Sequence, residues 1–113
     1  MKPVPVAECN DAWEFLDQVR ARPGMWVRGG SLRELEVMLC GYGVALLVHG
    51  IGEDFAFGPR GRFSDWLNER FGWSLVLGWA AAIEAHADGE PALEMFFRLV
   101  EDFRLTAPGL TVS

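Results

Sequence analysis

Cysteine, histidine and lysine are scarce in this 113-residue chain: Cys9 and Cys40, His49 and His86, and Lys2 alone. Two cysteines without CxxC spacing are too few for a disulfide framework and form neither a zinc nor a redox motif. They fit a cytoplasmic protein with free thiols. The two histidines lie too far apart in sequence to make the helical His pair of a catalytic zinc site. His49, near Glu53 and Asp54, and His86, one turn before Gly89, read instead as helix-end residues near the negative end of the dipole. Basic charge is short as well: ten Lys plus Arg face sixteen Asp plus Glu, a net charge of −6. That balance excludes non-specific nucleic-acid binding, which draws on phosphate neutralisation by Lys and Arg, and it suits a basic partner. The acids are distributed evenly between the two halves, so neither end is a charged tail.

Long hydrophobic runs are absent too. The longest strongly apolar stretch, Val44 to Val48, is far below the ~20 residues that span a membrane. Pro3, Pro5 and Glu8 interrupt any signal-peptide core. No GxxxxGK[ST] occurs, and Gly50-Ile51-Gly52 lacks the third glycine and the strand-to-helix setting of a dinucleotide site. Ser31, Ser64 and Ser74 read as helix starts rather than nucleophiles. The pairs Glu34 with Glu36 and Glu53 with Asp54 read as solvated surface. No catalytic group, metal or cofactor is therefore expected.

What the chain does have is apolar content, 50% hydrophobic against 23% charged, the mix of a globular domain. At this length roughly 65% of the unfolded chain's surface can be buried. The spacing predicts an all-α fold: a compact single domain of about five helices around a long central helix, spanning 11–105, with an extended leader over 1–10 and a mobile tail over 106–113.

Asp11 with Glu14 starts the first helix, and Ala12, Phe15, Leu16 and Val19 form its buried stripe. Arg22-Pro23-Gly24-Met25 reads as a type II turn. Met25-Trp26-Val27 follows as an extended connector. Ser31 with Glu34 opens the long helix to about Val48, with Leu32, Leu35, Leu39, Tyr42 and Leu46 on one face, and Gly50 and Gly52 ending it. Glu53 to Gly61 is loop chemistry with aromatic anchors, and Phe55 and Phe57 also fit a short strand. Phe63, Trp66, Leu67 and Phe71 mark the third helix. Ser74 is the expected N-cap of a fourth, carrying Val76, Trp79, Ala80 and Ile83. Pro91 opens the last, with Leu93, Phe96, Phe97, Val100 and Phe103 inward.

Trp13, Trp66 and Trp79 sit at core spacing, whereas Trp26 and Trp73 lie in connectors, where an aromatic either plugs the core or anchors a partner. With the loop acids Glu53 and Asp54 and the loop rings Phe55 and Phe57, these are the candidate partner-binding residues. A small-molecule-binding or catalytic pocket beside the central helix, and a homodimer, are the alternative uses of such a domain.

Arg20-Ala21-Arg22-Pro23-Gly24-Met25-Trp26-Val27 resembles the R-x-R-P-G-M-Y-[IL]-G stretch early in the ATPase region of DNA gyrase and related type II topoisomerases. The match covers about eight residues, and the chain has neither the Asn-bearing magnesium helix nor the glycine-rich lid motifs. What is shared is a helix-stopping turn. The longer pattern over residues 13–104, from R-x-R-P-G-M-W through S-L-R-E-L-E, F-S-D-W-L-N-E-R-F and F-F-R-L-V-E-D-F, resembles small bacterial immunity partners in polymorphic toxin systems. That resemblance implies a non-enzymatic cytoplasmic protein that binds and neutralises a toxin domain. Such a domain, where it acts on nucleic acid, presents the basic cleft that an acidic inhibitor is steered into.

Overall fold

Two helix starts follow directly from side-chain capping. The Asp11 carboxylate accepts the Glu14 N–H at 2.9 Å, and the Ser31 hydroxyl accepts the Glu34 N–H at 3.3 Å, each satisfying a backbone donor that a helix leaves open. In the computed structural model, which describes residues 6–59 and 61–106, these caps open α1 (Ala12–Ala21) and α3 (Leu32–Val48). Between them lies α2 (Pro23–Trp26), and after them α4 (Arg62–Phe71), α5 (Trp79–His86) and α6 (Ala92–Thr106), with short 3-10 turns at Val6–Glu8 and Arg28–Gly30. No strand occurs among the described residues, and Phe55 and Phe57 sit in irregular backbone. The fold is all-α. Its radius of gyration of 13.8 Å matches one compact unit of about this length. The first five residues of the expected leader and the expected tail beyond Thr106 lie outside the described residues.

The structure departs from the sequence reading at several places, and Met25 and Trp26, expected in an extended connector, are helical. Arg22-Pro23-Gly24-Met25 is not a type II turn but the start of a one-turn helix: the Val27 N–H donates to the Pro23 carbonyl at 3.0 Å. Proline at the first helical position presets the helical φ, and Gly24 is not among the glycines with positive φ. Ser74 does not cap α5. That helix begins at Trp79, and Val76 and Leu77 stand out in solvent, 88% and 82% exposed. The cap comes from elsewhere: Glu36 of α3 accepts the Ala80 N–H at 3.1 Å. Gly78, at φ 94, lies so close to it that a Cβ there would meet Glu36 Oε2 at 2.5 Å.

A further departure concerns the longest helix. With 17 residues α3 is long, but only Leu32, Leu35 and Leu39, all in its first half, are buried. The core is instead centred on α6, whose Phe96 and Phe103 are fully buried, and on a cluster with Phe57, Phe63 and Trp79. Aromatic rings there meet at 4.8–6.3 Å, mostly edge-to-face, the arrangement that ring quadrupoles favour. The second half of α3 runs along this core's edge. It ends in a Schellman closure, with the Ile51 N–H on the Leu46 carbonyl at 2.9 Å and Gly50 at φ 63.

Candidate functional site

The start of α1 and the middle of α3 enclose an open cleft of ≈ 250 Å³, lined by Cys9, Asp11, Phe15, Met38 and Tyr42. Three of these lining residues are held by specific contacts. Asp11 is held by its capping bond. Phe15 is buried, and Trp26 packs edge-on against it with ring centroids 5.1 Å apart. Tyr42 stacks on Phe55 at 5.3 Å, and its hydroxyl donates to Glu53 Oε1. The other oxygen of Glu53 accepts the Ala12 N–H at 2.9 Å, so one carboxylate ties the first turn of α1 to α3.

Electrostatics give this cleft a sign. Burial raises the Cys9 thiol, and the carboxylates of Glu14, Asp11, Asp17 and Glu8 add to that effect. Asp11 is the one acid among the lining residues, set among walls that are largely apolar. Burial and Glu36 raise the Cys40 thiol likewise. Both thiols stay protonated at neutral pH, the opposite of the depressed pKa that a cysteine nucleophile uses.

Burial, followed by the hydrogen bond and the charge of Glu53, pushes the Tyr42 phenol well above its ordinary value of 10.0. A raised acid costs the folded state nothing until the unfolded phenol begins to ionise. Stability from this pair is thus complete below pH 10 and declines as pH rises past that value, where the unfolded chain releases a proton the folded one keeps. Tyr42 is the single tyrosine, so tyrosinate absorbance reports on it alone. The folded chain should titrate above pH 10, with absorbance jumping on alkaline unfolding. A folded-state midpoint at or below 10 would contradict the Glu53 bond.

Of the six residues picked from sequence, the cleft gathers three behind its walls: Trp26 through Phe15, and Glu53 and Phe55 through Tyr42. None of these is a freely presented side chain, since all three are half-buried. Phe57 is a correction. It is 1% exposed and its ring touches those of Trp13, Phe55, Phe63, Trp79 and Phe96, so it is core and reaches no partner. Asp54 lies apart, exposed and paired with Arg62 at 2.8 Å. Trp73 lies apart too, stacked between Phe71 at 4.5 Å and His86 at 4.3 Å.

The chain matches no known family, no curated protein and no solved structure.

Sequence reasoning passed over Met38 and Tyr42, which shared an apolar helical surface, and Asp11, which was already explained as a cap. It also passed over a second surface. On α3 and its end, Val37, Val44, Leu47, Val48 and Ile51 are 56–83% exposed, although fully burying each would yield about 1.5–3 kcal/mol. The available signal was that residues 37–52 carry no Asp, Glu, Lys or Arg and are apolar nearly all round the helix, more than one buried face requires. Among the described residues, no helix is long and apolar enough to cross a membrane, so lipid does not explain that surface as a span.

Proposed function

We propose that the chain is a non-enzymatic, cytoplasmic protein-binding domain that neutralises a basic protein partner, as the immunity-type proteins it resembles do. The cleft between α1 and α3 carries this reading. Its apolar walls, Phe15, Met38 and Tyr42, suit the methylene stem of a Lys or Arg side chain, and Asp11 with the neighbouring acids suits the cationic head. At ≈ 250 Å³ it falls below the roughly 300–1,000 Å³ of pockets for drug-sized ligands and fits one anchoring side chain. The overall charge of −6 steers such a partner toward it, and the Asp11 carboxylate in its lining sets the orientation of docking.

Tagged protein should copurify with the toxic product of a neighbouring gene, and the affinity should fall as salt is raised from about 50 to 500 mM, because the charge term is screened. Asp11→Asn keeps an N-capping acceptor while removing the charge, so it should weaken binding several-fold at an unchanged melting temperature. Binding that is indifferent to both salt and Asp11→Asn would remove the cleft from the reading. A small amine is the second occupant that this cleft chemistry favours. Stabilisation of the chain by simple amines, in the absence of any protein partner, would support that alternative.

A further inference from the structure

The exposed side of α3 is a different surface from the cleft, and its pattern specifies its own occupant. Val37, Gly41, Val44 and Val48 recur at i, i+4, i+7 and i+11, a single stripe on a helix of ~100° per residue, whereas Met38 and Tyr42 face the cleft about 110° round the helix. The valines are 58–72% exposed, and nothing lies within 4 Å of where a Cβ on Gly41 would be. The stripe is symmetric about its own midpoint. Positions 37 and 48, and positions 41 and 44, are each centred between Tyr42 and Gly43. Two such helices laid antiparallel about a two-fold axis therefore set Val37 against Val48 of the partner subunit and Val44 against Gly41 of the partner subunit. A knob meets a hole twice, which is the self-complementarity an isologous interface requires.

Charge selects the same occupant. Two copies at −6 each repel across most of their surfaces, but residues 37–52 hold no charged side chain, so this is where copies can meet without opposing like charges. A basic partner gains nothing there. The flanks are compatible as well: Cys40 and Leu47 share one shoulder of the stripe, and the antiparallel register sets them about one residue pair apart, roughly 3 Å along the helix, across the interface. Interfaces between identical chains are richer in apolar surface than transient ones, and the neighbouring Val76 and Leu77, 88% and 82% exposed, extend the apolar area on the side where Gly78 lies against Glu36.

We infer that a second copy of this chain covers the Val37–Gly41–Val44–Val48 stripe of α3, forming an antiparallel two-fold dimer that leaves the acidic cleft of each copy on another side. Sedimentation of the full chain from about 1 to 500 μM tests it, micromolar self-association being the range for interfaces of modest size. The expected result is a reversible shift from 12.6 kDa to twice that mass. Val44→Glu places two carboxylates close together at the two-fold axis and should weaken association by more than about 100-fold at an unchanged melting temperature measured on the monomer. Val37→Glu alone and Val48→Lys alone should each weaken it, and the double variant should recover it, because the antiparallel register sets the introduced carboxylate opposite the introduced ammonium. A chain monomeric throughout, a dimer untouched by Val44→Glu, or a double variant that does not recover would each overturn the proposal. Monomeric Val44→Glu protein that still binds the basic partner keeps the cleft reading intact, so the two proposals fail separately.

Discussion

Phe57→Ala should destabilise the fold by about 3–5 kcal/mol, the range for truncating a buried aromatic. The residue sits in irregular chain, yet its ring is the meeting point of side chains from α1, α4, α5 and α6: Trp13, Phe63, Trp79 and Phe96. Its carbonyl also accepts the indole N–H of Trp79 at 3.2 Å, which fixes the loop against α5. Removing the ring leaves a cavity where four helices meet, and a core so centred cannot collapse from one side to fill it. At roughly 4 °C or more per kcal/mol for a domain of this size, the melting temperature should drop by about 12–20 °C. Phe55→Ala, two residues away but half-buried, should cost less than half as much. Circular dichroism melts of the two variants decide the matter, and equal effects would show that Phe57 is not the hub.

Gly61→Ala is the second large effect, and its cause is not backbone conformation. Gly61 has φ −79 and ψ 174, values any residue adopts. The obstacle is space: a Cβ there would lie 2.3 Å from the Ala56 carbonyl oxygen and 2.8 Å from its carbon. Both are backbone atoms of a loop closed by the Gly61 N–H on the Gly58 carbonyl at 2.9 Å and the Phe63 N–H on the Ala56 carbonyl at 3.1 Å. A methyl group must open that loop, break a buried hydrogen bond and move Phe57 with it. The expected cost is about 2–4 kcal/mol, overpacking plus a lost bond. Gly24→Ala, where nothing lies within 4 Å, should be neutral or slightly stabilising. A Gly61→Ala melt as high as that of Gly24→Ala would contradict the loop geometry.

Local signals were the legible ones. Asp11 and Ser31 cap the helices they were expected to cap, because an N-cap bond joins residues three apart and needs no tertiary partner. The all-α class followed from apolar spacing, and Trp79, expected in the core, is 1% exposed. What periodicity cannot say is which apolar face finds a cover. Leu32, Leu35 and Leu39 of α3 are buried while Val44, Leu47 and Val48 on the same helix are not, so the longest helix is not the central one. Long-range polar contacts were equally hidden. Glu53, read as a loop acid for a partner, caps a helix 41 residues earlier in the chain, and Glu36, read as solvated surface, caps α5 across 44 residues.

Arg22-Pro23-Gly24 shows the remaining kind of ambiguity. Proline followed by glycine fits both a type II turn and the first turn of a helix, and the choice is made by whether the next N–H groups find the preceding carbonyls, as those of Met25 and Val27 do. The cleft was illegible for a related reason. Asp11, Phe15, Met38 and Tyr42 each already had a local explanation as cap or stripe, and only the packing of α1 beside α3 turns them into one concavity.

The claim on which the functional reading rests is that the α1–α3 cleft receives a basic side chain of a toxic partner. Survival of cells that express the toxic product of a neighbouring gene, with wild-type chain or with Met38→Trp supplied together, tests it most directly. Met38 is half-buried at the wall of the cleft and packs against the edge of the core, so tryptophan there fills the space while keeping an apolar side chain against that edge. The prediction is survival with the wild-type chain and death with Met38→Trp at equal expression and equal melting temperature; survival with both, or protection by neither against every neighbour, would contradict it.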